Sequence, residues 1–263
     1  MTTQERVNEH LQEAFQYFPK DRVVAICLQG SQNYGLDIPG SDVDTKLIIT
    51  PTFEEVAFNR KPHSTTHVRE NNEHIDFKDI RLMLQTFRKQ NLNFVEILFT
   101  QYKWEHPLYQ EEWQRLVGGE REAIARYCPY QAVKTMKGIA MEKYHAMEHE
   151  YPSKVEVLAK YGYDPKQVSH LVRVYDFINE YVKGRPYEDC LRPPQANFIR
   201  DIKLGKYNLE QARDIAQVHL NKIITIADDF CEQVGKEFNQ EAENLLNDVQ
   251  YNIMKIAIKE EMM

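Results

Sequence analysis

The sequence predicts an α+β fold, with a small mixed β-sheet domain over residues 1–105 followed by an all-helical domain over residues 106–263. Apolar runs rich in β-branched residues, which are typical of buried strands, are confined to the first third of the chain. From Pro129 onward, almost every segment carries apolar residues at helical spacing. A chain of 263 residues is long enough for one large domain or for two modest ones that each bury a core.

The predicted sheet domain begins with a helix and continues with strands that are separated by turns. The run Val23–Gly30 is almost continuously apolar and predicts a buried strand. Ser31–Ser41 contains two glycines and one proline, so it predicts a turn between that strand and the next. The predicted elements are a helix at 4–18, strands at 23–30 and 42–50, a hairpin at 63–70 and 73–79, and short helices at 80–90 and 93–100.

The second domain is predicted from helical periodicity and from residues that begin helices. Asn208 precedes one apolar periodic segment, and the pair Asp164–Pro165 precedes another. Arg185–Pro194 is the clearest non-helical link. The predicted helices cover 107–118, 129–149, 153–161, 165–183, 208–234 and 239–261.

Composition and charge exclude several classes of protein. The formal net charge is −7, so the surface as a whole is not expected to attract nucleic acid, although a local basic groove stays open. The longest apolar runs are too short to span a bilayer, and the polar N-terminus resembles neither a signal peptide nor a transit peptide. The four cysteines are scattered and predict reduced thiols. We therefore expect a cytoplasmic protein without a membrane partner and leave its oligomeric state open.

Three aspartates stand in strand-like settings within the predicted sheet domain. Asp42 and Asp44 alternate with Val43, so they are expected to share one face of the second strand. Asp76 lies between two apolar residues of a later strand, which again predicts one outward carboxylate. Gly30–Ser31 ends the preceding strand, with ten residues between Ser31 and Asp42.

Carboxylates in this pattern suit the transfer of a nucleotidyl group. Mg²⁺ prefers hard oxygen ligands, so Asp42 and Asp44 are predicted to hold it, and Asp76 is predicted to complete the acceptor-side metal site and to help remove the hydroxyl proton. Gly30 lets the backbone approach phosphates, and Ser31 offers a hydroxyl and an N–H at a predicted helix N-terminus. The alternative is the solvent face of an edge strand, in which Asp42 and Asp44 have no chemical role.

The residues Gly30, Ser31, Asp42 and Asp44 resemble the motif of the DNA polymerase β-like nucleotidyltransferase superfamily. In that motif, Gly–Gly or Gly–Ser is followed after a short gap by Asp–hydrophobic–Asp or Glu, and Asp76 corresponds to the later strand aspartate. The fuller string GSQNYGLDIPGSDVD is similar to a branch of predicted nucleotidyltransferases associated with RNA ligases. The chain departs from that branch at Thr45–Lys46, where a small residue and an Arg-Gly-like turn are frequent.

The resemblance implies a nucleotidyltransferase that uses Mg²⁺, or Mn²⁺ in its place. Such an enzyme moves an NMP from an NTP to an acceptor hydroxyl and releases pyrophosphate. The branch implies an RNA end, such as a broken tRNA, as the acceptor, while a protein hydroxyl or a small hydroxylated molecule stays open. A different class also stays open: a nucleotide- or RNA-end-binding module without turnover, acting within a repair or defence complex.

A second candidate site lies on the predicted helix 165–183. Lys166, His170 and Arg173 are spaced i, i+4, i+7 and therefore share one face. A Lys…His…Arg pattern also occurs in the branch that the chain resembles. Such a face suits the β- and γ-phosphates of an NTP, because Lys supplies a point charge and Arg a bidentate fork. The alternative is a solvated helix face without a function.

The segment His145–His149 reads H-x-x-E-H, the string of inverted zinc peptidases. Two histidines four residues apart on a helix can bind Zn²⁺, with the glutamate as a base. No third ligand follows at a recognisable spacing, and the neighbouring charges favour a solvated surface.

Overall fold

A computed structural model describes residues 1–263 and shows an α+β protein with one small mixed sheet and many helices, as predicted. The strands are β1 Val23–Gln29, β2 Asp44–Ile49, β3 Ser64–Val68, β4 His74–Asp79 and β5 Lys103–Glu105. The helices are α1 Thr3–Ala14, α2 Phe53–Ala57, α3 Ile80–Arg88, α4 Leu92–Val95, α5 Gln110–Val117, α6 Arg121–Ala125, α7 Pro129–Ala146, α8 Val155–Tyr161, α9 Pro165–Tyr181, α10 Tyr187–Cys190, α11 Ala196–Lys203, α12 Leu209–Gln233 and α13 Gln240–Glu261. None of them has the length and apolar character needed to cross a membrane.

The five strands form one sheet in the order β3-β4-β2-β1-β5. β2 and β4 run parallel, and every other neighbouring pair is antiparallel. Burial alternates along β4, so Ile75 and Phe77 point into the core while Asp76 points to the opposite face. The strand therefore has the alternation that its sequence predicts.

One face of the sheet packs against α1. Thr2 caps this helix and forms a capping box with Glu5, which explains why the helix begins at Thr3. The apolar side of α1 joins a core with residues of β1, β2 and β4, among them Leu28 and Leu47. Burying one leucine side chain in such a core contributes roughly 1.5–3 kcal/mol. This packing determines which side of each strand is left for polar residues.

The chain forms two compact units, which we describe separately. The sheet unit comprises Met1–Asn33, Pro39–Cys128 and Phe238–Met263, and the helical unit comprises Tyr34–Ile38 and Pro129–Glu237. These bounds differ from the division at residue 105 that the sequence predicts.

The C-terminal helix α13 belongs to the sheet unit. It packs against α3, α5 and α6. Arg88 pairs with Glu243 at 2.7 Å, and Tyr127 stacks on Phe238. The sequence of an amphipathic helix indicates that it has an apolar partner, but not which partner that is. For this reason the sequence does not indicate that α13 packs with helices of the sheet unit and not with those of the helical unit.

Helix α9 is the centre of the helical unit. It packs against α7, α10, α11 and α12 and is buried along most of its length. Asp164 caps α9 by accepting a hydrogen bond from the Lys166 N–H at 2.9 Å, and Pro165 occupies its first turn, as predicted.

Several short elements escape the sequence-based prediction, namely α2, α6, α10, α11 and β5. Because α10 lies within Arg185–Pro194, the prediction of a non-helical link is wrong at Tyr187–Cys190. These elements are one to two helical turns or three strand residues long, which is too short to show a clear periodicity.

Candidate active site

Three charged side chains share the polar face of the sheet. In the parallel pair of β2 and β4, Lys46 lies opposite Asp76, and residues opposite each other point to the same side. Asp44 lies two positions before Lys46 on β2 and therefore points the same way. Gln29, the last residue of β1, lies opposite Asp44. The fold thus brings Asp44 and Asp76, both predicted site residues, to one face of neighbouring strands.

Asp42 lies outside β2, which begins at Asp44. The prediction that both residues belong to the strand is therefore wrong for Asp42. The reason is that β1 ends at Gln29, opposite Asp44, and no strand residue pairs with Asp42. The Asp42 side chain is exposed, and its backbone carbonyl accepts a hydrogen bond from Gln32 Nε2 at 2.7 Å. Asp42 is consequently held by the loop that leads into the sheet.

Asp76 is surrounded by hydrogen-bond donors. The Lys46 ammonium donates to Oδ2 at 3.1 Å, the Thr66 hydroxyl donates to Oδ1 at 2.6 Å, and Gln29 Nε2 lies 3.5 Å from Oδ2. Burial by itself raises the pKa of Asp76, but Lys46 and Thr66 outweigh it and hold that pKa below its usual value. Asp76 is therefore ionised at neutral pH.

Lys46 is almost completely buried, with 3% of its side chain exposed. Its ammonium lies 3.9 Å from the centre of the Phe94 ring, in addition to its ion pair with Asp76. Burial lowers the pKa of Lys46, and the charge of Asp76 opposes that effect. A lysine placed in this way is part of the site, although in the sequence Lys46 stands out only as a departure from the RNA-ligase-associated branch.

Asp44 is the second carboxylate on this face that hydrogen bonds hold in place. Its Oδ1 accepts a hydrogen bond from the His74 backbone N–H at 2.9 Å and lies 3.0 Å from His74 Nδ1. In the chain no group of three or more Asp, Glu, His and Cys residues is arranged to hold a metal ion. The donor set nevertheless fits Mg²⁺, which proteins bind through one or two carboxylates together with substrate phosphates. Asp42 and Asp44 would supply those carboxylates.

A buried glutamate, Glu73, positions the segment that carries the two aspartates. It accepts a hydrogen bond from the Val43 N–H at 2.9 Å and lies 3.0 Å from His10 Nε2. Arg69 donates to it at 3.0 Å, and Arg6 forms a further ion pair with it. Because only 1% of the Glu73 side chain is exposed, these donors replace the water that would otherwise solvate the carboxylate. The backbone between Asp42 and Asp44 is thereby tied to the core side of the sheet.

The turn at Gly30 and Ser31 is built differently from the prediction. Gly30 has a φ of +101°, a conformation that favours glycine, and its N–H donates to the buried Glu96 at 2.9 Å. Ser31 begins a single 3₁₀ turn, Ser31–Tyr34, and not an α-helix. The predicted helix N-terminus is present at Ser31, but its helix is one 3₁₀ turn long, and the Gly30 N–H is used within the fold. A phosphate-binding role of Gly30 and Ser31 stays a prediction.

A cationic face is formed within the helical unit. Arg173 is 6% exposed and lies over the Tyr34 ring at 4.1 Å from its centre, while Lys166 is exposed and His170 half-buried. Burial, followed by the charges of Arg173, Lys166, Lys143 and Lys203, lowers the pKa of His170 well below its usual value. These cations come from α9 and from α7 and α11, which both pack against α9. Lys143 also pairs with the exposed Glu142 at 2.8 Å.

The motif segment Tyr34–Ile38 is anchored to this face. Arg200 donates to the Gly35 carbonyl, and Lys203 Nζ lies 3.4 Å from the Leu36 carbonyl. Together with the contact between Arg173 and the Tyr34 ring, these bonds hold Tyr34, Gly35 and Leu36, which lie within the string GSQNYGLDIPGSDVD.

The H-x-x-E-H string does not form the geometry of a zinc site. Helix α7 ends at Ala146, so His145 and His149 do not lie four residues apart on one helix. Glu148 pairs instead with Arg213, whose Nε donates to it at 2.9 Å.

Many residues of the two sites are missing from the sequence-based prediction, among them Lys46, Glu73, Glu96, Lys143 and Lys203. A lysine inside an otherwise apolar strand is the one signal that could have identified Lys46, because a charge in such a position needs a partner. The others are surface-type residues in sequence, and only their packing distinguishes them.

No protein-family model matches the chain, and no curated protein sequence matches it either. The residues and distances described above are therefore the basis for proposing a function.

Proposed function

We propose that this protein is a Mg²⁺-dependent nucleotidyltransferase that moves an NMP from an NTP to an acceptor hydroxyl. The observation that carries the proposal is the arrangement of Asp44 and Asp76 on one face of neighbouring strands, with Asp42 two residues away and the Gly30 turn at the end of β1. The same residues resemble the DNA polymerase β-like motif. An inactive descendant of such a site would be expected to lose at least one carboxylate.

The proposed role of Asp42 and Asp44 is to hold the metal ion with the nucleotide phosphates. When it is bound, Mg²⁺ neutralises negative charge that develops on the reacting phosphoryl group. Asp44 is oriented by His74, and the Asp42–Asp44 segment is oriented by Glu73. Asp76, which is ionised, accepts a hydrogen bond from the acceptor hydroxyl and promotes the loss of its proton.

The cationic face of the helical unit is proposed to bind a polyphosphate. Arg173 supplies a planar donor that is held by Tyr34, and Lys166 supplies an exposed point charge. His170 is neutral at pH 7, because its pKa is well below its usual value, and it contributes a hydrogen bond rather than a charge. The repulsion between these neighbouring cations is reduced when a polyanion binds.

The proposed acceptor is an RNA end, on the strength of the resemblance to the RNA-ligase-associated branch. The net charge of −7 favours a short contact with an RNA end over a long groove along a duplex. A protein hydroxyl and a small hydroxylated molecule are the alternatives that the test must separate.

The test is to incubate the protein with each α-³²P-labelled NTP, with Mg²⁺ or Mn²⁺, and with total RNA, and to separate the products on a denaturing gel. Label on RNA that is lost in the Asp42→Ala/Asp44→Ala double variant is the expected result. Label on the protein itself would instead identify a polypeptide hydroxyl as the acceptor. Unchanged labelling by the double variant would refute the proposal.

A binding module without turnover is the second candidate. It is favoured by the ion pair of Lys46 with Asp76, because this carboxylate already has a counter-ion within the protein. This candidate predicts nucleotide binding without any release of pyrophosphate. A coupled pyrophosphate assay, run beside a nucleotide titration, separates the two functions.

A further inference from the structure

We infer that the Lys46 ammonium takes the place of a second, acceptor-side divalent cation, so that the protein holds one metal ion per bound nucleotide. This inference rests on the proposed function. It revises the role predicted for Asp76, which becomes the partner of an internal cation and not a metal ligand. Lys46 is accordingly a positioning residue for the Asp76 carboxylate.

The first argument is the occupation of the Asp76 oxygens. Lys46 and Gln29 contact Oδ2 at 3.1 and 3.5 Å, and Thr66 donates to Oδ1 at 2.6 Å. A divalent ion bound to Asp76 would lie beside an ammonium that already contacts the same carboxylate. Two cations at that separation repel each other strongly in a partly buried site. One counter-ion is therefore sufficient for Asp76.

The second argument is that the Lys46 side chain is buried and packed. It lies within β2, between paired strands on either side, and 3% of its side chain is exposed. Its ammonium also lies 3.9 Å from the centre of the Phe94 ring, an attractive contact that would be lost on movement. An incoming ion would have to displace a buried and paired charge at Asp76, whereas Asp42 is exposed before the strand begins and Asp44 is half-buried at its first position.

The third argument comes from the contrast between Lys46 and Lys78. Lys78 follows Asp76 by two positions on β4, and its ammonium lies 5.3 Å from the centre of the same Phe94 ring. Its hydrogen bond goes to the Ser64 hydroxyl at 2.7 Å, and not to the carboxylate. Lys78 thus offers a matched control: a lysine near the same ring and the same aspartate that does not form the ion pair.

The test is to count bound Mn²⁺ by electron paramagnetic resonance, in the presence of an NTP analogue with a non-hydrolysable α,β bridge. One Mn²⁺ per protein is expected for the wild type and for Lys78→Met, and two are expected for Lys46→Met, in which the Asp76 carboxylate is no longer neutralised. Asp76→Asn should still bind one ion, because Asp76 is not a ligand in this arrangement.

Two ions in the wild type, or loss of an ion in Asp76→Asn, would overturn the inference even if the Lys46 variant failed to fold. Absence of any bound Mn²⁺ in the wild type would overturn it as well. The labelling experiment with Asp42→Ala/Asp44→Ala is independent of the ion count. Labelled product together with two bound ions would therefore refute this inference and leave the proposed function standing.

Discussion

Replacing Glu73 with alanine should destabilise the sheet unit through a network that lies away from the polar face. Glu73 accepts hydrogen bonds from the Val43 N–H and from Arg69, contacts His10, and forms a further ion pair with Arg6. Removing one partner of a buried ionic group costs about 3–5 kcal/mol. Arg6 and Arg69 retain side-chain exposures of 29% and 17%, so water can solvate them again, and we expect the lower end, about 3 kcal/mol.

The measurement is urea unfolding followed by tryptophan fluorescence. The chain has two tryptophans, Trp104 and Trp113, and both belong to the sheet unit, so the signal reports on that unit alone. Glu9→Ala is the matched control, since Glu9 is an exposed residue on the same helix as His10. Its free energy of unfolding is expected to change by less than about 0.5 kcal/mol. A Glu73→Ala protein as stable as this control would refute the assignment of Glu73 as the anchor of the Asp42–Asp44 segment.

Three further changes test the Gly30 turn and the cationic face. Gly30→Ala should lower the free energy of unfolding, followed by tryptophan fluorescence, by about 1–3 kcal/mol. The cause is backbone strain at a φ of +101°, since an added Cβ meets no atom within 4 Å, and an unchanged free energy of unfolding would contradict it. Arg173→Met should weaken binding of inorganic triphosphate about tenfold to a hundredfold by calorimetry, whereas the exposed Lys134→Met should not; equal effects would rule out a specific anion site. The free energy of unfolding, measured by far-UV circular dichroism, should fall as the pH drops below about 6.5, because His170 then binds a proton in the unfolded state but not in the folded state. His170→Gln should make this pH dependence weaker, and an identical slope in both proteins would contradict the lowered pKa of His170.

Much of the secondary structure follows from local features of the sequence. The apolar run of β1, the alternation around Asp76 and the caps of α9 and α12 each have a direct local cause, and each element is found near its predicted position. The same reasoning fails at Asp42, because the length of β2 depends on where its neighbour β1 ends. At Ser31 the sequence indicates that a helix begins but not its type or length, because a turn-forming sequence does not specify whether one 3₁₀ turn or a longer helix follows.

Some properties of the site residues also follow from the local sequence, whereas others depend on packing. The spacing of Gly30, Ser31, Asp42 and Asp44 and the setting of Asp76 are properties of the chain itself, since alternation along a strand assigns each side chain to a face. The sequence alone therefore determined which carboxylates are candidates for the chemistry. It could not determine what neutralises them, because that depends on contacts between residues that are far apart in sequence.

Tertiary structure decided the rest. The parallel register of β2 and β4 sets Lys46 opposite Asp76, and the packing of α1 against the sheet makes Glu73 the buried anchor of the Asp42–Asp44 segment. The packing of α7, α9 and α11 surrounds His170 with four cations. Local sequence determines the face on which a side chain lies, whereas its charge partners are determined only when distant segments pack, because electrostatic and hydrogen-bond energies depend on distances in space.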